Sequence, residues 1–150
     1  MCLRYCNKVV AEEDIICYKV VNVVPGGVCF KSPVKKSFYF IGKKKEIKNV
    51  SLKSKNLSIY KEKLLTNSRI RKIDSCAYHT FKTLDEARSF INCYYDTSIK
   101  RILKCKIPKN SKYIFEGTFN YGGKTPFSEN GEPIKNSYAS QKLIPIEEII

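Results

Sequence analysis

Acidic side chains are nearly missing from one long stretch of this 150-residue chain. Between Lys31 and Lys72 only Glu46 and Glu62 stand against fourteen Lys or Arg, a local net charge of +12. Everywhere else fourteen basic face twelve acidic side chains, so the rest supplies only +2 of the +14 total. No apolar run approaches the roughly 18 residues that a membrane-crossing helix needs, so no span is expected. Met1 to Lys8 contains neither a continuous apolar segment nor a small-residue cleavage site. No secretory signal is therefore expected, and the expected location is the cytoplasm. Glycine-rich phosphate loops are missing as well. Gly26-Gly27 and Gly122-Gly123 are isolated pairs that open no predicted helix, and both read as turns. The chain also lacks an internal repeat, a helix-turn-helix and a basic amphipathic helix, the last two being the usual readers of a double helix.

What is present suits a folded domain. A hydrophobic content of 43%, with 12% aromatic residues, argues against disorder and for a single domain over residues 1–150. The seven cysteines are odd in number and scattered, partly inside apolar runs, which fits reduced thiols better than a disulfide framework. Lysine outnumbers arginine by twenty-three to five, as an AT-rich coding bias gives, but that bias favours Glu equally and does not explain a block almost free of acids. A cationic block on an otherwise near-neutral chain attracts polyanions.

Along the chain, Asp14 to Val24 is a near-continuous β-branched run ended by Pro25-Gly26-Gly27, the pattern of a strand buried on both faces. Ser37 to Ile41 reads as a second strand stopped by Gly42. Residues 43–72 have no clean period and are expected to form a weakly structured excursion, with a short strand at Leu57–Tyr60 or a helical turn near Tyr60–Leu65. Thr83-Leu84-Asp85-Glu86 is a capping box, in which the Thr hydroxyl takes the third amide and the Glu reaches back to the Thr amide. Leu84, Ala87, Phe90, Ile91 and Tyr94 then share one helical face, predicting a helix from 84 to about 95. Ile99 to Ile107 alternates, with Leu103, Cys105 and Ile107 inward and Lys100, Lys104 and Lys106 on a basic outer face. Tyr113 to Phe119 alternates again. Residues 120–136 form a Gly-, Pro- and Asn-rich loop, and Lys142 to Ile146 a last strand, in which Pro145 is tolerable if the strand lies at a sheet edge. Glu147 and Glu148 read as a solvated tail. The expected fold is α+β: a mostly antiparallel sheet with one helix packed on it and a basic excursion.

Three constellations bear on chemistry. Lys35, Lys36, Lys43, Lys44, Lys45 and Lys48, with Arg69 and Arg71, are candidates for neutralising phosphates. Aromatic rings lie among them, and alternation points Phe38 and Phe40 inward, leaving Tyr39 and Tyr60 as candidates to stack on bases. Cys2-x3-Cys6 with Cys76-x2-His79 offers three sulfurs and one nitrogen, a tetrahedral zinc set on paper, against the plainer reading of ordinary thiols. His79, the chain's one histidine, is a candidate general base or a structural hydrogen-bonding residue at a strand end.

The layout Ile16-Cys17-Tyr18-Lys19-Val20-Val21, Phe38-x-Phe40 with Gly42-Lys43, His79 to Ala87, Ile107 to Tyr113 and Tyr138-Ala139-Ser140 resembles an uncharacterised family of small proteins from tailed phages and gut bacteria. That resemblance covers most of the chain and implies a role in host takeover or defence evasion within the host cytoplasm. The second half is also similar to a degenerate ADP-ribosyltransferase pattern, carried by His79-Thr80 through Phe90 and by Lys104 to Tyr113. On that pattern Tyr18 or Lys19 stands where a first-strand Arg or His belongs, and Gln141 where the catalytic glutamate belongs. Gln141 cannot carry the carboxylate's charge, so the resemblance implies at most a cleft at Tyr18, His79, Thr80 and Gln141 that binds a dinucleotide. The leading expectation is a non-catalytic protein that uses no cofactor and engages nucleic acid or a nucleotide-containing complex. Single strands or structured RNA suit it better than a sequence-specific duplex. The alternatives are the nucleotide-binding cleft, or a protein-binding or virion component docked on an acidic partner.

Overall fold

The computed structural model describes residues 3–24, 30–32, 38–46, 77–93, 98–121 and 126–149. Among them ten strands and one helix follow in chain order. They are β1 (Arg4–Lys8), β2 (Ile15–Val23), β3 (Phe30–Lys31), β4 (Phe38–Tyr39), β5 (Lys45–Glu46), β6 (Tyr78–Phe81), α1 (Leu84–Cys93), β7 (Lys100–Ile107), β8 (Ile114–Thr118), β9 (Ser137–Ser140) and β10 (Lys142–Ile149).

The β-branched run that forms β2 pairs along most of its length with β7, from Ile15 opposite Ile107 to Asn22 opposite Lys100. The strand order is β1-β8-β9-β6-β2-β7-β10-β5, every pairing antiparallel, with β3 on β2 and β4 on β3. Because β7 occupies one edge of β2, β6 and β3 divide the other: β6 meets it at Tyr18, β3 at Asn22 and Val23. The class is α+β, a mostly antiparallel sheet with one helix packed on it.

Period-two alternation decides what each face buries. One face of β2 and β7 sends Cys17, Val21, Leu103, Cys105 and Ile107 into a core with Tyr39, Ile114 and Leu143. The other presents Val20 and Ile102 to Ala87 and Phe90 of α1, with Phe81 of β6 beside them. Two buried faces are what a near-continuous apolar run requires. Full burial of a side chain the size of Leu103 or Ile107 stabilises by about 1.5–3 kcal/mol. A third cluster gathers Leu3, Cys6, Ala77, Phe115 and Ala139 at the β1 side of the sheet.

The helix starts where the capping box places it. The Glu86 amide donates to Thr83 Oγ1 at 3.2 Å, and Asp85 and Glu86 put negative charge on the first turn. The Glu86 carboxylate, however, does not complete the box by reaching back. It accepts from the Tyr121 hydroxyl, which also lies 3.0 Å from the Glu86 carbonyl and so ties the 119–121 segment to the helix. Burial, reinforced by that carboxylate, pushes the Tyr121 hydroxyl well above its ordinary range.

Several expectations need correction. Pro145 is buried and lies in a strand with neighbours on both sides, not at an edge. It is admitted because the β5 ladder covers only Lys142 and Leu143, so the side of Pro145 that lacks a donor faces the Gly42 turn and not a paired strand. Its carbonyl is used, accepting from the Gly42 amide at 2.8 Å at a turn where Gly42 takes φ +77°, a backbone region that glycine enters without strain. Glu147 and Glu148 are not a solvated tail: β10 runs on to Ile149, and both carboxylates pair with β7 cations. Of the expected strand at 37–41, Phe38–Tyr39 is strand and residues 40–41 are not, Ser37 lying outside the described residues; β1, β3, β6 and β9 stand where the sequence marks no separate strand. Of the 43–72 excursion, β5 lies among the described residues, while Leu57–Tyr60 and Tyr60–Leu65 lie outside them.

Candidate nucleic-acid interface

Register assembles a row that no segment of the sequence contains. Lys100 of β7 stands opposite Asn22 of β2, Asn22 opposite Lys31 of β3, and Lys31 opposite Phe38 of β4. Directly opposed residues share a face, so the four line up across four strands, over about 14 Å at the usual strand spacing. The Lys100 ammonium donates to Asn22 Oδ1 at 3.3 Å, which leaves the Asn22 amide hydrogens to point elsewhere. An open groove of about 540 Å³ is lined by Asn22, Lys31 and Phe38 of this row, with Val23, Val24, Ser98 and Ile99 around them.

The neighbouring register, Val23 opposite Phe30 and Phe30 opposite Tyr39, must point to the opposite face. There Tyr39 is part of the main core and Phe30 packs against it. This reverses the expected phase of the SFYF segment. Tyr39 is 2% exposed, whereas Phe38 is 43% and Phe40 37% exposed. Burial drives the Tyr39 hydroxyl far above its ordinary pKa, and the ring lies 5.0 Å beneath the Lys19 ammonium. Tyr39 therefore does not stack on a ligand; Phe38 is the ring that faces outward. All three aromatics suit a strand, so only the pairing with β3 sets which one turns in.

Charge is distributed unevenly over the described residues. Of the expected basic face of β7, Lys104 pairs with Glu147 at 3.2 Å and Lys106 with Asp14 at 3.5 Å, while Lys100 bonds to Asn22; on the opposite face Arg101 pairs with Glu148 at 3.2 Å. Lys82 pairs with Glu116 at 2.6 Å, and Asn7 donates to the same carboxylate at 2.9 Å. Burial resists ionisation of Glu116, but these hydrogen bonds and the Lys82 and Lys135 charges outweigh it and hold the carboxyl below its usual value. Lys31 and Lys43, by contrast, have no carboxylate partner among the described residues. Lys43 and Lys44 are exposed, and the Lys43 ammonium sits 5.3 Å over the Phe40 ring.

The other candidates divide into buried and undescribed. Lys35, Lys36, Lys48, Tyr60, Arg69 and Arg71 lie outside the described residues, and Lys45 is described only as backbone of β5. Tyr18 packs against the cluster beneath α1, while His79 and Gln141 are 5% and 8% exposed. Thr80 is fully buried. The groove is lined by none of these four. The His79 carbonyl accepts from Lys19 at 2.9 Å, so a buried side chain links β2 to β6 near their one ladder pair. Among the described residues no group of three or more His, Cys, Asp or Glu is placed to hold a metal ion. Of the zinc candidates, Cys6 and His79 are buried, and Cys2 and Cys76 lie outside the described residues. Cys17 and Cys105 are buried free thiols directly opposed across β2 and β7. Desolvation pushes Cys17 up to about 12 despite the Thr80 hydroxyl and the Lys19 charge, and raises Cys105 further.

Compared with known proteins, the chain matches no family model, no curated protein and no solved structure. No helix among the described residues is long and apolar enough to cross a membrane.

Proposed function

We propose that this chain is a small non-catalytic binding protein that engages nucleic acid, or a nucleotide-containing complex, through cations of the Lys31–Lys72 block. One observation carries the reading. Lys82 and, on β7, Arg101, Lys104 and Lys106 are matched with acids, while Lys31 and Lys43 of the block have no carboxylate partner among the described residues, a condition that Lys8, Lys109 and Lys112 share outside a block whose acids are few. An ammonium paired with a carboxylate adds little to the outer field, whereas an unmatched one keeps its full attraction for phosphate. Lys31 and Lys43 both belong to a block whose net charge is +12. A catalytic reading has less support: Tyr18, His79 and Gln141 are held in the packing and do not line the groove. The resemblance to the phage-associated family sets the proposed role in the host cytoplasm, in host takeover or defence evasion.

Fluorescence anisotropy of the purified chain with a labelled single-stranded 20-mer, and with the duplex of the same sequence, tests the reading. Saturable binding that prefers the single strand is expected. Absence of binding to either nucleic acid at low salt overturns it.

A further inference from the structure

We infer that the Lys100–Asn22–Lys31–Phe38 row is the seat of one unpaired nucleotide of a single strand, its base stacked on Phe38 and its flanking phosphates held by Lys31 and Lys100. This rests on the nucleic-acid reading above and adds a place and a chemistry to it.

Three features of the row fit a nucleotide together and suit other anions poorly. Phe38 offers an aromatic face at 43% exposure, and π-faces stack on any base. Lys31 is half-buried and lacks a carboxylate partner among the described residues, so its charge is open to a phosphate. Asn22 has its carbonyl oxygen engaged by Lys100, which directs its amide hydrogens toward acceptors such as those on a base edge. The groove lined by Asn22, Lys31 and Phe38, about 540 Å³, falls within the size range of small-ligand sites, with Ile99, 65% exposed, as an apolar wall and Lys100 outside its lining. A duplex keeps both faces of every base stacked and has none to offer Phe38, so the occupant is a single strand. A free phosphate or an acidic protein segment has no use for the ring.

The decisive comparison needs no variant. Wild-type protein is titrated with a labelled 12-mer and with an abasic 12-mer of the same length and charge. The base-bearing strand is expected to bind at least fivefold more tightly, and equal affinity overturns the inference. Phe38→Ala is expected to weaken the base-bearing strand by about 5- to 140-fold and the abasic strand hardly at all. Phe38→Tyr, which keeps the stacking face, is expected to bind within about twofold of wild type. Phe38→Ala behaving as wild type also overturns the inference. Failure of the row is distinguishable from failure of the nucleic-acid reading. Tight, salt-sensitive binding indifferent to bases and to Phe38 removes the row alone, whereas no binding of either 12-mer removes both. A mononucleotide added as competitor separates the sources: displacement only at far higher concentration marks the strand as the occupant, and equal potency per phosphate overturns it.

Discussion

Salt offers the most quantitative check on which cations matter. Lys31, Lys43, Lys44 and Lys100 are the cations described in the basic block and in the row. If these four neutralise one phosphate each, log affinity for a single strand falls against log salt with a slope near −2.8, at about −0.7 per contact. Raising salt from 50 to 200 mM then weakens binding by about 50-fold, and further contacts within the block steepen the slope. Lys31→Gln removes one contact, so the slope should relax to about −2.1 and the same salt step should cost about 20-fold. Lys106→Gln is the matched control. Lys106 lies six residues beyond Lys100 along β7, about 20 Å at the usual rise per residue. That exceeds twice the Debye length of about 8 Å at physiological salt. Its ammonium is also already paired with Asp14 at 3.5 Å. Anisotropy titrations at four salt concentrations for the three proteins give the slopes. A slope near zero refutes phosphate contact. Equal flattening by Lys106→Gln and Lys31→Gln refutes a local site and leaves only the attraction of overall charge.

Two further outcomes test the interior. Native alkylation with iodoacetamide at pH 8, mapped by mass spectrometry, should modify exposed Cys93 while sparing buried Cys17 and Cys105 until the protein is unfolded, because only thiolate reacts and burial holds both as thiols. A raised folded pKa adds stability that is complete below the unfolded value near 8.5 and is lost as pH rises toward the folded value, so labelling of the two should climb steeply only in strong alkali; prompt labelling at pH 8 contradicts this packing. Glu116→Gln should lower stability by about 1 kcal/mol at pH 7, a figure kept small because Glu116 and Lys82 are each 25% exposed in their side chains. The folded Glu116 carboxyl is depressed, so its contribution is present above the unfolded pKa near 4.3 and fades as pH falls through the folded value; urea titrations should show the gap to wild type closing below about pH 4, and a gap that ignores pH speaks against the ion pair.

The most legible elements were those specified by nearby residues. The Thr83 cap and the spacing of Leu84, Ala87 and Phe90 predict α1 because helix contacts join residues three and four apart. The apolar run of β2 and the alternation of β7 carry their own signals. β3 and β4 did not, since two-residue strands have too few positions to show a period. The Glu86 partner was also illegible, because Tyr121 is distant in sequence and competes with the local capping hydrogen bond. The site followed the same division. Composition singles out Lys43 and Lys44, whereas Lys31, Phe38, Asn22 and Lys100 come together only through three separate strand pairings.

The concentration of charge in one block, the antiparallel α+β class and the position of the helix are readable from the order of the amino acids. Net charge is a sum over the chain, and helical and strand periods repeat within a few residues, so neither needs the rest of the molecule. Which lysines lack a carboxylate partner and which ring faces outward depend on contacts between strands far apart in the chain. Ion pairing depends on distances between β7, β10 and Asp14, and a one-residue change of register would exchange Phe38 with Tyr39 between groove and core.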